Sequence, residues 1–461
     1  MLERKYSQTL ETFLTNEPNK ILLVNGARQV GKSYIIRYVG KKLFKHFVEI
    51  NLKADKEGKG IFSTVKSKED FYLQLGAIAG NNLGTRDDTL VFLDEIQSYP
   101  DLMTMLKFLN EDARYRYIAS GSQLGVALSQ TPSVPIGSIA IQQMYPLDFE
   151  EFLWATGCGK GPIEAMRGKF MVREALNSPM HNYMLQQFKT YLLVGGMPDA
   201  VNKFLENRNI TQIRSIQQDI HALYRIDASQ YDSANKLAIR KIYDMIPSNM
   251  ENKKKRIIVK NIEGTKAHKQ FNDYAEEFEY LTNAGVALAV QSISNPTFPL
   301  MESESKSLLK LYLNDVGLLT NILYGTNINA VLQDERSVNL GSVYESAVAQ
   351  ELHAHGHPLY YYDNKQKGEV DYLIDDYKQL SVLPVEVKSG KDYTVHSALD
   401  KFLSTPDYHI RDAIVLSNEQ RVYINKGVTY MPIYYCMFLD GRVTTDNNLT
   451  IPVVELPEGS I

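Results

Sequence analysis

The sequence predicts an α/β protein of several domains: a parallel sheet with helices first, a mostly helical middle next, and a small second α/β unit last. Three observations predict this. Short apolar runs alternate with helical patterns over roughly the first quarter of the chain. The middle carries apolar residues at helical spacing. After about residue 338 the pattern is helix, strand, strand, helix, an αββα order. A length of 461 residues accommodates two to four domains at roughly 100–200 residues each. The expected divisions are 1–205, 206–337 and 338–461.

The expected strands of the first domain are "ILLVNG" (21–26), "HFVEINL" (46–52), "TLVFLDE" (89–95) and "YRYIASG" (115–121). Continuous apolar runs of this length suit strands buried on both faces. A turn-rich stretch, "SQTPSVPIGS" (129–138), follows. In the middle domain Phe271, Tyr274, Phe278 and Leu281 share one helical face, and "NAG" closes that helix with glycine. Two strand-like runs, "VALAVQSI" and "LLKLYLND", flank the loop "SNPTFPL". A helix followed by such a hairpin predicts a winged-helix module. In the last domain "GSVYESAVAQEL" reads as a helix, and "GEVDYLI" and "SVLPVEVKSG" as strands.

Composition is that of an ordinary globular protein, 44% hydrophobic and 23% charged. A net charge of −4 gives no global attraction to nucleic acid, so any such surface must be local. Cys158 and Cys436 show no paired or metal-ligand spacing. The start "MLERKYSQTL" is too polar for a secretory signal, and no apolar run approaches the ~18 residues that span a bilayer. A cytoplasmic protein is expected.

The stretch "GARQVGKS" (26–33) matches G-x-x-x-x-G-K-[ST] directly after an apolar strand and at the start of a helix. In that context Gly26, Ala27, Arg28, Gln29, Val30 and Gly31 cradle phosphates with backbone N–H groups. Lys32 reaches the β- and γ-phosphates, and Ser33 ligates Mg²⁺. In "TLVFLDE", Asp94 and Glu95 stand at a strand's C-terminal tip, where open α/β sheets bind ligands. Asp94 is expected to hold the Mg²⁺ shell, and Glu95 to polarise an attacking water. Ser120 and Ser122, ending the next strand, can sense the γ-phosphate or form a plain polar turn.

With "YPLDFEEFL", "VGGMPDAV", "KLYLNDVGLL" and "GSVYESAVAQEL" added to "NGARQVGKS", "VFLDEIQ" and "YIASGSQ", the chain from about residue 18 resembles prokaryotic AAA-type P-loop ATPases. Those ATPases carry a C-terminal domain of unknown function. The resemblance implies an ATPase core, a helical and winged-helix middle, and a C-terminal restriction-endonuclease-like domain related to PD-(D/E)XK nucleases. In that pattern a Gly-Arg pair precedes the "PLDFEEF"-like segment; here the residues are Gly137 and Ser138. Hydrolysis then needs another arginine, for which Arg114 and Arg116 are nearby candidates, or one supplied by a partner.

The second acid-and-lysine motif is "PVEVKSG". In a strand Glu386 and Lys388 face one side, with Val385 and Val387 on the other. Asp371 lies on the preceding strand, with Glu369 on its face. The resemblance adds Glu345 as the first acid of the nuclease motif. Glu345, Asp371 and Glu386 then supply oxygen ligands for Mg²⁺, and Lys388 helps deprotonate water. Alternation of Glu and Lys is by itself common on exposed strands. The segment "NKKKRIIVKN" gathers Lys253, Lys254, Lys255, Arg256 and Lys260, with Lys266, His268 and Lys269 beyond it. It is either a phosphate-contacting surface or a solvated basic loop. His353, His355 and His357 alternate, the wrong spacing for one helical face.

The expected function is an ATP- and Mg²⁺-dependent ATPase joined to a nuclease-like domain that acts on DNA. The alternative is an ATP-dependent switch that binds a protein partner, with the C-terminal domain an inactive scaffold. No membrane contact is expected, and oligomerisation is left open.

Overall fold

A computed structural model of the chain describes residues 2–122, 124, 137–231, 236–251, 255–257, 262, 270–335, 338–390 and 393–441. The first sheet is β1 (Ile21–Asn25), β2 (His46–Asn51), β3 (Thr89–Asp94), β4 (Arg116–Gly121) and β5 (Ile139–Gln143), in the order β2-β3-β4-β1-β5. Every pairing is parallel. Alternate residues of β3 feed two apolar layers. Leu90 and Phe92 pack with Ile35, Ile36 and Val39, while Val91 and Leu93 pack with Phe71, Leu102 and Leu106. Four of the five strands are those the apolar runs predict. β5 is the addition. As an edge strand it is only partly covered, so it carries no continuous apolar signal.

Helices Phe149–Ala155, Lys160–Met171, Ser178–Val194, Pro198–Asn207, Ile210–Tyr231 and Lys236–Glu251 follow. The helix Ala275–Asn283 is preceded by a 3₁₀ turn, Phe271–Tyr274. Tyr274, Phe278 and Leu281 are buried, as their spacing predicts.

The hairpin after that helix sits differently from a wing. β6 (Ala287–Ile293) and β7 (Glu304–Leu313) pair antiparallel, but β6 also pairs parallel with β8 (Tyr360–Asn364). Both strands therefore belong to one sheet with β9 (Gly368–Asp376), β10 (Ser381–Lys388), β11 (Ala413–Ser417), β12 (Tyr423–Asn425) and β13 (Val428–Pro432). Its order is β12-β13-β11-β10-β9-β8-β6-β7. The physical reason is burial on both faces of β6. Leu288 and Val290 enter one apolar cluster and Ile293 another, beside Tyr360 and Tyr362. The expected boundary at 337/338 separates stretches of chain but does not divide this sheet.

In the last domain three strands, not two, stand between helices Leu340–Ala354 and Ser397–Leu403. β8, "YYYDN", is the one the αββα reading lacks. The register of β8 on β9 steps from Tyr360↔Leu373 to Tyr362↔Val370. Asp371 and Tyr372 thus oppose Tyr361 alone, a β-bulge. The helix Leu340–Ala354 is buried over most of its length, and the Phe149 N–H donates to Glu351 Oε1 at 2.7 Å. That bond ties the last domain to the first.

Candidate functional sites

The loop after β1 is shaped by its glycines. Gly26 has φ +153, and a Cβ there would lie 2.3 Å from the Met144 carbonyl oxygen. Gly31, at φ +95, caps the helix Lys32–Leu43. The buried Lys32 ammonium donates to the Gly26 and Ala27 carbonyls at 2.8 and 2.9 Å. Burial lowers its pKa to about 8, against the opposing pull of Glu95 and Asp94. A bound anionic phosphate would raise it again.

Parallel pairing in register brings Asp94 beside Ser120, at the C-terminal ends of β3 and β4. Ser120 donates to Asp94 Oδ1, and the Ser33 hydroxyl donates to Asp94 Oδ2 at 2.9 Å. Hydroxyl and carboxylate side by side at the loop are a hard-oxygen donor set that fits Mg²⁺. Glu95 follows in the left-handed region, φ +56, and its Oε2 accepts from Gln97 Nε2 at 2.5 Å. A non-glycine residue held there is a local strain that redirects the side chain after the strand. A cleft of about 390 Å³ is lined by Arg28, Lys32, Ser33, Asn51, Lys53 and Glu95. Arg28 Nη1 pairs with Asp227 Oδ1 at 2.5 Å, and its Nε donates to Ser122 Oγ at 3.3 Å.

Sequence reasoning missed Arg4. Its guanidinium is buried and donates to Val30 O at 3.0 Å, Tyr145 O at 2.6 Å and Glu151 Oε2 at 3.1 Å. It props the loop from behind, from the N-cap position of the helix Lys5–Asn16, and no motif marks it. The two candidate arginines prove remote. Arg116 opens β4 at the end opposite Ser120, donating to Leu14 O, and Arg114 stacks on Tyr72 at 4.0 Å. Ser138 also lies at that far end: its carbonyl accepts from Ile21 N at 2.9 Å. The five residues of β1 put roughly 16 Å between that point and the loop. An arginine at position 138 would not serve the nucleotide of its own chain.

The second site gathers Glu345, Asp371, Glu386 and Lys388. β9 and β10 pair as far as Val385↔Tyr372. One step further, at the bulge, the Asp371 carboxylate accepts from the Val387 N–H at 2.8 Å. Lys388 Nζ donates to Glu386 Oε1 at 2.8 Å. Glu345 Oε1 accepts a hydrogen bond from the Lys255 ammonium, and Tyr312 OH donates to its Oε2 at 3.4 Å. Burial, then the charge of Asp371, raises Glu386 to about 8. The same two causes raise Glu345 to about 6, with Lys255 and Lys310 opposing.

Among the described residues Glu386 Oε2 is buried without a hydrogen-bond partner. An orphaned carboxylate oxygen among acids has the donor chemistry of a hard-cation site. The three-acid ligand set expected from the sequence is nevertheless not assembled. Among the described residues no group of three Asp, Glu, His or Cys side chains is placed to hold an ion. Glu345 is turned to a lysine and Asp371 to a backbone amide, since three clustered carboxylates need compensation.

Of the basic segment, Lys253, Lys254, Lys260, Lys266, His268 and Lys269 lie outside the described residues. Lys255 and Arg256 are turned inward, onto Glu345 and Asp363. The three histidines do not converge on one another. His353 meets the Tyr145 ring edge-on, and burial lowers it to about 4. His355 and His357 share the Leu439 carbonyl, at 2.9 and 3.2 Å. Cys158 and Cys436 are free thiols, and burial raises both. No helix among the described residues is long and apolar enough to cross a membrane.

Three family models match in succession. Residues 18–153 match an AAA domain, 185–329 a domain of unknown function (DUF8612), and 340–436 a domain of unknown function (DUF4143). The chain is 22% identical over 364 residues to the uncharacterized protein MJ1544 of Methanocaldococcus jannaschii, covering 77% of this chain and 72% of the relative. The Walker-type ATPase PABY2304 of Pyrococcus abyssi is 14% identical, TM-score 0.42, covering 69% of this chain and 95% of that one. The RuvB Holliday junction branch migration motor of Thermotoga maritima is 12% identical, TM-score 0.28, covering 62% and 89%. The N-terminal stretch is thus similar to AAA domains and is P-loop ATPase-like.

Proposed function

We propose that the protein binds and hydrolyses Mg²⁺-ATP in the cleft after β1, and that this turnover governs a nuclease-like C-terminal domain acting on DNA. The observation that carries the first half is the convergence of Ser33, Asp94 and Ser120 beside Lys32, with Glu95 at the strand's end. Ser33 and Asp94 would hold Mg²⁺, which when bound neutralises charge developing on the phosphates. Glu95 accepts the proton of the attacking water. Lys32 gives up its two loop carbonyls for phosphate oxygens.

The second half is supported by the bulged strand carrying Asp371, by Glu386 and Lys388 on its neighbour, and by Glu345 on the helix before them. The switch reading, with an inactive C-terminal scaffold, draws on the Lys255–Glu345 pair and the unassembled three-acid set. Cleavage assays separate the two. Asp371→Ala and Lys388→Ala should each abolish Mg²⁺-dependent cleavage of DNA while ATP hydrolysis continues. Lys32→Ala should lose nucleotide binding. A wild-type protein that hydrolyses ATP but cuts neither single- nor double-stranded DNA favours the switch.

A further inference from the structure

We infer that Arg28 is the catalytic arginine of this ATPase, supplied in cis from within the phosphate loop and held in place by Asp227. The inference rests on the ATPase reading above. Among the described residues the cations lining the cleft are Arg28, Lys32 and Lys53. Lys32 belongs to the β- and γ-phosphates. Arg114, Arg116 and position 138 all lie at the other end of the sheet. Arg28 is different. It shares the cleft with Lys32 and Glu95, and its Nε leans on Ser122, just beyond the strand end where Ser120 holds Asp94.

Its head is oriented on two sides, by Asp227 on Nη1 and Ser122 on Nε. Among the described residues Nη2 has no hydrogen-bond partner. Its backbone is fixed as well, since Tyr224 OH donates to Arg28 O at 3.2 Å. Tyr224 and Asp227 sit one turn apart on the helix Ile210–Tyr231. A planar fork held at two nitrogens with a third left over is suited to an anion with several equivalent oxygens.

In the reaction the water oxygen bonds to the γ-phosphorus. The bond from phosphorus to the β–γ bridging oxygen breaks, its electron pair leaves on ADP, and the water proton passes to Glu95. Arg28 forms no covalent bond. Its N–H groups donate to the equatorial oxygens as their charge builds, so its contribution appears in kcat more than in binding. Asp227 is a positioning residue.

The test measures turnover at saturating Mg²⁺-ATP and equilibrium Mg²⁺-ATP affinity on the full chain. Arg28→Ala should lower kcat about 10²–10³-fold with affinity changed less than about threefold. Arg28→Lys, which keeps the charge and loses the fork, should recover only a small part. Asp227→Asn should lower kcat about tenfold with affinity kept, and should cost nothing further when Arg28 is already Ala. Turnover of Arg28→Ala near the wild-type rate, or a loss of affinity as large as its loss of kcat, overturns the inference and leaves the ATPase reading intact. An equal Asp227→Asn effect in both backgrounds overturns the positioning role. If Arg28→Ala does not fold, Arg28→Lys and Arg28→Gln carry the same comparison. A wild-type protein that binds Mg²⁺-ATP and never turns it over defeats both readings.

Discussion

At the scale of single residues, the chemistry sits on side chains whose charge is hard to keep. Asp315 shows this away from either proposed metal site. It is fully buried, accepts from Gly196 N at 2.6 Å and Leu318 N at 3.0 Å, and burial raises it to about 6. Between its ordinary value near 4 and about 6, the folded chain keeps a proton that the unfolded chain has released. Stability from this group is therefore full below about pH 4 and falls as pH rises toward 6. Asp315→Asn should lower the wild-type Tm through the lost N–H contacts and flatten the Tm-versus-pH slope between those values. The fall in Tm between those two pH values should shrink by roughly 2–4 °C. An unchanged slope would mean that Asp315 is ionised throughout. At this scale the residues that meet around the loop after β1 were legible because a phosphate-loop motif fixes type and spacing together. Arg4 and Asp227 were not, because their roles depend on chain distant in sequence. The pairing of Lys255 with Glu345 was hidden for the same reason.

At the scale of elements, continuous apolar runs marked β1 to β4, and helical spacing marked the helix Ala275–Asn283. Edge strand β5 and the aromatic β8 carried weaker signals. The β6–β7 hairpin was found as a hairpin but assigned to the wrong sheet, because periodicity shows which residues are buried and not what buries them. Its true position makes it a link between the two sites. Gly285, at its base, has φ +70, and a Cβ there would lie 3.1 Å from Ala27 N of the phosphate loop. At the same base, just past the end of β7, Asn314 Nδ2 donates to Tyr224 OH at 3.2 Å, and Tyr224 in turn donates to Arg28 O. Along the same strand Tyr312 reaches Glu345, and Lys310 pairs with Glu369. Gly285→Val should therefore weaken Mg²⁺-ATP binding about tenfold or more, through strain at positive φ and pressure on Ala27. Titration of a fluorescent ATP analogue reads this directly. Wild-type affinity in that variant would show that the hairpin base does not bear on the loop.

At the scale of the whole molecule, the ATPase domain and the last domain share buried charge. Lys5 pairs with Asp148 and Glu150 at 2.7 Å, Arg4 with Glu151, and His355 lies 3.7 Å from Asp148. The burial of Glu351, and then the charge of Asp148, raises Glu351 to about 7, so this junction also resists full ionisation. A chain ending at residue 337 would strip β8 from β6 and remove the helix Leu340–Ala354 from the core. It should aggregate or lose nucleotide binding, which size-exclusion chromatography and ATP titration would reveal. A monomeric, ATP-binding fragment would contradict that dependence. The parallel α/β first part of the chain was legible from the sequence. The sheet and the ion network that join distant stretches were not, because both depend on contacts between residues far apart in sequence, about 70 positions for β6 on β8 and more than a hundred for the ion network. The central claim is that this cleft hydrolyses ATP and does not merely hold it. The most direct test compares Glu95→Gln with wild type in a single-turnover assay, protein in excess over radiolabelled Mg²⁺-ATP. Glu95→Gln should bind with wild-type affinity and release phosphate at least about 10²-fold more slowly. Phosphate release at the wild-type rate would contradict it.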